Sequence, residues 1–173
     1  MKSTASKQAP EQLDNVTIRD LLSYRIHQLS SLMSRSAAQQ YRTHFDVSLG
    51  EWRALALLGA GAGLALNELA RAADLDKAQM SRIVAGLSKR DLIARAEGST
   101  RGQTVRLALT RKGQSLYRRL IDAAAKRNDA FLACLTPQER KVFDEALAKL
   151  STLSRALVAA EQPSPMARSS AKR

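Results

Sequence analysis

The sequence predicts a mainly α-helical fold with one small β-hairpin. Alanine and leucine, both strong helix formers, are abundant, whereas aromatic residues make up only 4% of the 173 residues. Apolar residues recur at steps of three and four in several long segments, which is the period of an amphipathic helix. Alternating, strand-like runs are confined to one short stretch, residues 92–109.

The first predicted helix covers residues 17–43. Thr17 and Asp20 have the spacing of a capping box, in which a carboxylate follows a hydroxyl by three residues. Residues 1–16 before this helix, and residues 162–173 at the other end, are polar and aperiodic, and we expect flexible tails there. The helix carries one apolar stripe, formed by Leu22, Ile26, Leu29 and Met33.

A second helix begins with a stronger capping pattern. Ser48 and Glu51 can form a capping box, and Val47 and Trp52 occupy the positions of a hydrophobic staple. We expect this helix to end at Gly59 and to be followed by a mobile, glycine-rich connection over residues 59–63.

Two short helices joined by a tight turn come next. Asn67 is predicted to cap the first, Asp74 and Leu75 to form the turn, and Asp76 to cap the second, with Gln79 three residues on. This arrangement is typical of a helix-turn-helix. The buried face of its second helix is predicted to consist of Ile83, Val84 and Leu87.

Two strands follow directly, at residues 92–96 and 104–109, so the hairpin occupies the position of a wing. A polar loop, residues 97–103, joins them. Val105, Leu107 and Leu109 alternate along the second strand and are expected to point inward.

The last two helices begin at Thr110 and at Thr136. Pro137 and Glu139 after Thr136 give the clearest helix start in the chain. The outer helices, residues 17–47 and 110–161, have more apolar surface than one chain can cover, so we expect a dimerisation region around a winged unit at 48–109. The final helix carries a narrow apolar seam, formed by Ala146, Leu150, Leu153 and Leu157.

Residues 74–87, DLDKAQMSRIVAGL, with KRDLIAR at 89–95, resemble the recognition helix of MarR-type transcriptional regulators. Residues 49–55, 66–70 and 105–113 resemble three further segments of that family, in the same order. Two features depart from its pattern: Asp91 stands where glycine is usual, and the wing lacks the aspartate that precedes its arginine. The resemblance implies a homodimeric winged helix-turn-helix protein, most often a repressor that a small aromatic carboxylate releases from its operator.

The formal net charge of +12 implies a polyanionic partner, either nucleic acid or an anionic membrane surface. No apolar run is long enough to span a bilayer, and residues 1–16 lack the apolar stretch of a signal peptide. We therefore expect a cytoplasmic protein with no membrane partner. The single cysteine excludes an intrachain disulfide.

With double-stranded DNA as the partner, the exposed N-terminal side chains of the recognition helix would contact base edges. Arg101 at the wing would enter the minor groove, and we expect a pseudo-palindromic operator with half-sites about one helical turn apart. Capping and solvation are the alternative roles for Lys77 and Gln79. The predicted base contacts are Lys77, Gln79, Ser81 and Arg82, and the predicted phosphate contacts are Lys89, Arg90, Arg95, Arg106 and Lys112.

The effector implied by the resemblance is of the hydroxybenzoate, hydroxycinnamate or hydroxypyridine carboxylate type. Such an acid needs an aromatic ring for stacking and a cation or imidazole for its carboxylate. Trp52 is also suited to the core, and a lone histidine on a helix is more often structural. Residues with the required chemistry are Tyr24, Arg25, His27, Tyr41, His44, Trp52 and Arg53.

Other functions have weaker support. Cys134 could make a redox-switched regulator, but with no second cysteine we expect a buried bystander. An architectural protein that coats DNA through charge alone is a further alternative. No catalytic, metal or cofactor constellation is present, and the glycines at 59–63 follow a helix and lack G-x-G-x-x-G spacing. We therefore expect neither an enzyme nor a cofactor.

Overall fold

The computed structural model describes residues 16–61, 63–96 and 105–161. The chain divides after Ile121 into two compact units, each described here by itself. The described part contains a 3₁₀ turn at Ile18–Asp20, six helices and three strands. The helices are α1 (Leu22–Phe45), α2 (Leu49–Gly59), α3 (Leu66–Ala72), α4 (Lys77–Lys89), α5 (Arg111–Leu132) and α6 (Pro137–Glu161), and the strands are β1 (Leu64–Ala65), β2 (Ile93–Arg95) and β3 (Arg106–Leu109).

The core of the first unit lies where α4 packs against α2 and α3, with the sheet alongside. Each fully buried aliphatic side chain there stabilises the fold by about 1.5–3 kcal/mol through removal of apolar surface from water. The largest of these buried side chains are Leu55, Leu69, Met80, Leu87 and Leu120.

The three strands form one antiparallel sheet in the order β1-β3-β2. Ile93 pairs with Leu109 at the base of the hairpin, and Leu64 pairs with Leu107 on the other side of β3. The hairpin was expected, whereas β1 was not, because two residues are too short a run to show a period. Of the three residues predicted to point inward, Leu107 is buried and Leu109 is half-buried, but Val105 is exposed, so its prediction was wrong.

Most of the predicted helix starts are confirmed. The Ser48 hydroxyl accepts from the N–H of Glu51, whose carboxylate accepts from the N–H of Ser48 at 2.7 Å. Thr110 accepts from the N–H of Gly113 at 3.0 Å. Thr136 and Glu139 form another capping box, and the hydrogen bonds from the Thr136 N–H and hydroxyl lower the pKa of the Glu139 carboxyl.

Two predicted caps are wrong in detail. Thr17 and Asp20 do hydrogen-bond, but they cap the 3₁₀ turn, and α1 begins after Leu21 without a side-chain cap. Asn67 does not cap α3, which begins after Ala65. Because the pairing of β1 holds Ala65 extended, the carboxylate of Glu68 accepts from the Ala65 N–H at 2.9 Å.

Three aspartates end helices or turns with a left-handed backbone. Asp46, Asp74 and Asp91 have φ values of 51°, 55° and 57°. Asp tolerates this region better than most non-glycine residues because its short side chain can hydrogen-bond locally. Asp91 therefore adopts the conformation for which the resembling family uses glycine.

The second unit contains α6, none of whose residues is buried. In the predicted seam Leu150 is half-buried, whereas Leu153 and Leu157 are more than half exposed. The prediction that Cys134 is buried is wrong: it follows the end of α5 with its side chain exposed, and its thiol donates to the carbonyl of Phe131 at 2.9 Å.

The predicted tails and the wing loop at 97–103 lie outside the described residues, apart from Val16. Within the described ranges, no helix is both long and apolar enough to cross a bilayer.

The close approach of α5 to the segment after α4 gives a stability prediction. A Cβ at Gly113 would collide with the carbonyl oxygen of Leu92, whereas a Cβ at Gly86 in α4 meets no atom within 4 Å. We expect Gly113→Ala to lower the free energy of unfolding by about 1–3 kcal/mol or more, and Gly86→Ala to raise it by about 0.5–1 kcal/mol. Urea denaturation measures the free energy of unfolding of both variants. Equal changes in the two would contradict the close approach of α5 to Leu92.

Candidate nucleic-acid interface

The solvent face of α4 is basic and polar. The four predicted base-contact residues near its N-terminus are exposed, as is Ala78 among them, and the helix contains no aspartate or glutamate. Because Met80 and Leu87 are fully buried on the opposite side, the exposed face has a fixed orientation. Those five outward residues are Lys77, Ala78, Gln79, Ser81 and Arg82.

The hydrogen bond that caps α4 does not involve the side chain of Gln79. The carboxylate of Asp76 accepts from the backbone N–H of Gln79 at 2.7 Å, so capping fixes the first turn of the helix. The amide group of Gln79 is exposed and able to make two hydrogen bonds to one partner. Capping and recognition are therefore compatible at this residue.

The C-terminus of α4 is tied to α2 through Arg90. One guanidinium nitrogen donates to the Glu51 carboxylate at 3.1 Å and the other to the carbonyl of Asp46 at 2.9 Å. Lys112 donates to the carbonyl of Arg90 at 2.8 Å. Arg90 was predicted as a phosphate contact, and in this structure its guanidinium joins the end of α4 to α2.

The remaining basic candidates fall into three groups. Lys89 and Arg95 are exposed at the end of α4 and on β2. Arg106 donates to the carbonyl of Gly63 at 2.8 Å and lies 3.5 Å from Glu68, so it joins β3 to the β1–α3 segment. Arg101 lies outside the described residues.

Two of the predicted ligand residues line one cavity. Trp52 and Arg53 border a depression of about 410 Å³ between α2 and the end of α3, together with Ala72 and Asp74. The Trp52 ring also packs against Tyr41 and stacks on Tyr117. Tyr41 is completely buried, so its interpretation as a crevice residue is wrong, and it belongs to the core.

The other ligand candidates lie far apart along α1. Tyr24, Arg25 and His27 are near its start, and His44 is in its last turn, so about 30 Å of helix separates Tyr24 from His44. Tyr24 accepts a hydrogen bond from Gln28, and His27 lies 3.5 Å from the hydroxyl of Ser31. The structure does not bring these four residues together with Trp52 within one chain.

Sequence reasoning missed the Glu51–Arg90 pair and two residues of α5. Tyr117 stacks on Trp52, and the Arg119 guanidinium carbon lies 5.4 Å from the centre of the Phe45 ring. The aromatic and basic run at 117–119 was the available indication, but it does not show which helix face turns inward.

A capped helix with an exposed basic face, preceded by a short helix and a tight turn and followed by a β-hairpin, defines a winged helix-turn-helix DNA-binding protein. A family model described as the MarR family matches residues 45–102. The HTH-type transcriptional regulator FarR of Neisseria gonorrhoeae is 28% identical over 107 residues, which are 62% of this chain and 73% of FarR. These similarities are to the MarR family and to HTH-type transcriptional regulators.

Solved structures share the fold. A MarR/EmrR family regulator from Acinetobacter superposes with a TM-score of 0.73 at 24% identity, covering 82% of this chain and 99% of that one. MepR of Staphylococcus aureus, in complex with DNA, gives 0.67 at 24% identity over 77% and 98%. A MarR family protein of Mycobacterium tuberculosis, in complex with salicylic acid, gives 0.63 at 23% identity over 79% and 98%.

The Arg90–Glu51 contact gives a second stability prediction. The Glu51 side chain is 16% exposed and that of Arg90 is 35% exposed, so water screens the pair only partly. We expect a double-mutant cycle with Arg90→Gln and Glu51→Gln to give a coupling of about 1 kcal/mol.

The matched control is the Arg42–Asp46 pair, which is 3.8 Å apart with both side chains more than 60% exposed. Its cycle, with Arg42→Gln and Asp46→Asn, should show no measurable coupling. Equal coupling in the two cycles would argue against a positioning role for Arg90.

Proposed function

We propose that the chain is a ligand-responsive repressor that binds a pseudo-palindromic operator as a homodimer and is released by a small aromatic carboxylate. The observation that carries the proposal is the acid-free, exposed face of α4, held outward by the burial of Met80 and Leu87. An α-helix fits the major groove of B-form DNA, and its N-terminal side chains reach base edges there.

Gln79 and Arg82 are the proposed specificity residues. A glutamine amide can make two hydrogen bonds to adenine, and an arginine guanidinium can make two to guanine. Both side chains are exposed near the N-terminus of α4. Ser81 can bond either a base or a phosphate. The DNA-bound MepR neighbour supports use of this fold for duplex binding.

Phosphate contacts are proposed for Lys77, Lys89 and Arg95, which are exposed on α4 and β2. Arg101 is proposed as a minor-groove contact from the wing. A dimer that neutralises roughly 6–10 phosphates should lose about 10³–10⁵ in affinity between 50 and 200 mM salt. Charge provides affinity in this scheme, and the base contacts provide specificity.

Unpartnered apolar surface supports the homodimer. The first unit exposes aliphatic side chains along the 3₁₀ turn and α1, and the second unit exposes them along α6. Burial of such side chains in a partner is the main driving force for association. More than half exposed are Ile18, Leu22, Leu29 and Leu32 in the first unit, and Val142, Leu153, Leu157 and Val158 in the second.

An aromatic carboxylate is the proposed effector. The cavity beside Trp52 and Arg53 offers an indole ring and an exposed guanidinium, which suit a ring and a carboxylate respectively. The candidates on α1 can contribute to such a cavity only if a second chain brings them there. They are Tyr24, Arg25, His27 and His44. The salicylic acid complex of the mycobacterial neighbour supports this ligand class.

Substitution of both specificity residues tests the DNA proposal. Gln79→Ala with Arg82→Ala should reduce discrimination between operator and random DNA by about 1–3 kcal/mol for each lost pair. Arg118→Ala, which removes an exposed charge from α5, should leave discrimination unchanged. Fluorescence anisotropy against both duplexes measures the ratio. A wild-type ratio near one would identify a non-specific architectural protein instead.

Charges placed on α6 test the homodimer. Leu153→Arg with Leu157→Arg should convert the protein to a monomer in sedimentation velocity, because two cations would have to be desolvated in the interface. Ala148 lies on the opposite face of α6 and is exposed, so Ala148→Arg is the matched control and should sediment as wild type. A monomeric wild-type protein would refute the proposal directly.

A further inference from the structure

The C-terminal end of the recognition helix is attached to two neighbouring segments of the first unit. On one side, the Arg90 guanidinium donates to the Glu51 carboxylate at 3.1 Å and to the carbonyl of Asp46 at 2.9 Å, at the joint between α1 and α2. On the other side, the carbonyl of Arg90 accepts from the Lys112 ammonium at 2.8 Å, where α5 begins. The end of α4 is therefore bonded to both segments.

The first turn of α2 also contacts the middle of α4. A Cβ at Gly50 would lie 2.8 Å from Cδ1 of Ile83, which is well inside the usual separation of nonbonded carbon atoms. The lack of a side chain at Gly50 therefore leaves room for Ile83 against α2. Since Glu51 is the next residue, one turn of α2 touches α4 at its middle and, through Arg90, at its end. Two separated contacts fix the direction of a helix, whereas one contact does not.

The hydrogen bonds of Arg90 do not favour a phosphate contact. Its guanidinium is already engaged by Glu51, which is largely buried, and by the backbone of Asp46. A phosphate would have to take Arg90 away from the Glu51 carboxylate, and a buried charged group that loses its partner is costly. The adjacent Lys89 is exposed and is better suited to a phosphate.

We propose that Arg90 is a positioning residue for operator recognition, which holds α4 on the first turn of α2 so that Gln79 and Arg82 meet the base edges in register. The inference rests on the proposed function for DNA binding. Arg90 follows the end of α4, about two turns from Arg82, and acts on the base contacts through the orientation of the helix. Base contacts provide specificity, whereas phosphate contacts provide affinity for every sequence. Loss of Arg90 should therefore reduce discrimination more than general affinity.

Binding titrations of the full-length protein on two duplexes test the inference. The specific probe is a duplex that the wild-type protein enriches from a random pool, and the non-specific probe is a shuffled duplex of the same composition. Arg90→Gln should weaken binding to the enriched duplex by about 2–30-fold, the range for changes that act through a contact network. Binding to the shuffled duplex and the salt dependence should not change. A lost phosphate contact would instead reduce the salt slope on both duplexes by about 0.9.

Glu51→Gln separates positioning from charge. Glutamine can also occupy the third position of a capping box, so this variant keeps the start of α2 and loses the ion pair. Positioning predicts weaker binding to the enriched duplex. Charge alone predicts stronger binding to both duplexes, because an acidic group is removed. The double variant with Arg90→Gln should bind about as weakly as Arg90→Gln, because the two substitutions remove one shared interaction.

Two basic neighbours provide the controls. Lys89→Gln should weaken binding to both duplexes alike and reduce the salt slope by about 0.9, as expected for loss of a phosphate contact. Arg42→Gln removes an exposed guanidinium that lies 3.8 Å from the Asp46 carboxylate, and it should bind both duplexes as wild type.

Wild-type affinity of both Arg90→Gln and Glu51→Gln for the enriched duplex would overturn the inference, and so would equal weakening on the two duplexes. Titrations are run below the onset of thermal melting of each variant, and Glu51→Gln provides the test if Arg90→Gln does not fold. If the wild-type protein enriches no sequence, the proposed function fails and this inference fails with it. Discrimination by the wild type with unchanged variants would count against the role of Arg90 alone.

Discussion

The end of the recognition helix is joined to the start of α2 by one carboxylate, that of Glu51. One of its oxygens accepts from the N–H of Ser48 at 2.7 Å and so begins α2, and the other accepts from Arg90 at 3.1 Å beyond the end of α4. Arg90 also reaches the carbonyl of Asp46. Since Glu51 is largely buried from solvent, its bonds are weakly screened, and they hold the start of α2 and the end of α4 at a fixed separation.

Local patterns in the sequence were sufficient to predict most of the fold. Each helix cap joins two residues three apart, so the spacing alone predicts it. This holds for the capping boxes at Ser48 and Thr136 and for the cap at Asp76. Interactions between distant segments gave no such pattern. Glu51 and Arg90 are 39 residues apart, and β1 exists only because β3 pairs with it. The wrong cap at Asn67 has the same origin, because that pairing moved the start of α3.

The predicted site residues also divide into those that a local pattern locates and those that depend on contacts between distant segments. Periodicity predicts which face of α4 is buried, and the exposure of Gln79 and Arg82 follows from it. A ligand cavity instead requires side chains from several helices to meet. Tyr41 has suitable chemistry for an effector site, yet it is wholly buried in the core. Arg119 attracted no notice in the sequence, although the structure places it over Phe45 beside two other cations.

The two ends of α4 differ in what they contact. The proposed base contacts at the N-terminal end would require an accurate helix orientation, and the hydrogen bond from Arg90 to Glu51 ties the other end of the helix to α2. A helix of this length is stiff, and its inward face is close-packed around Met80 and Leu87.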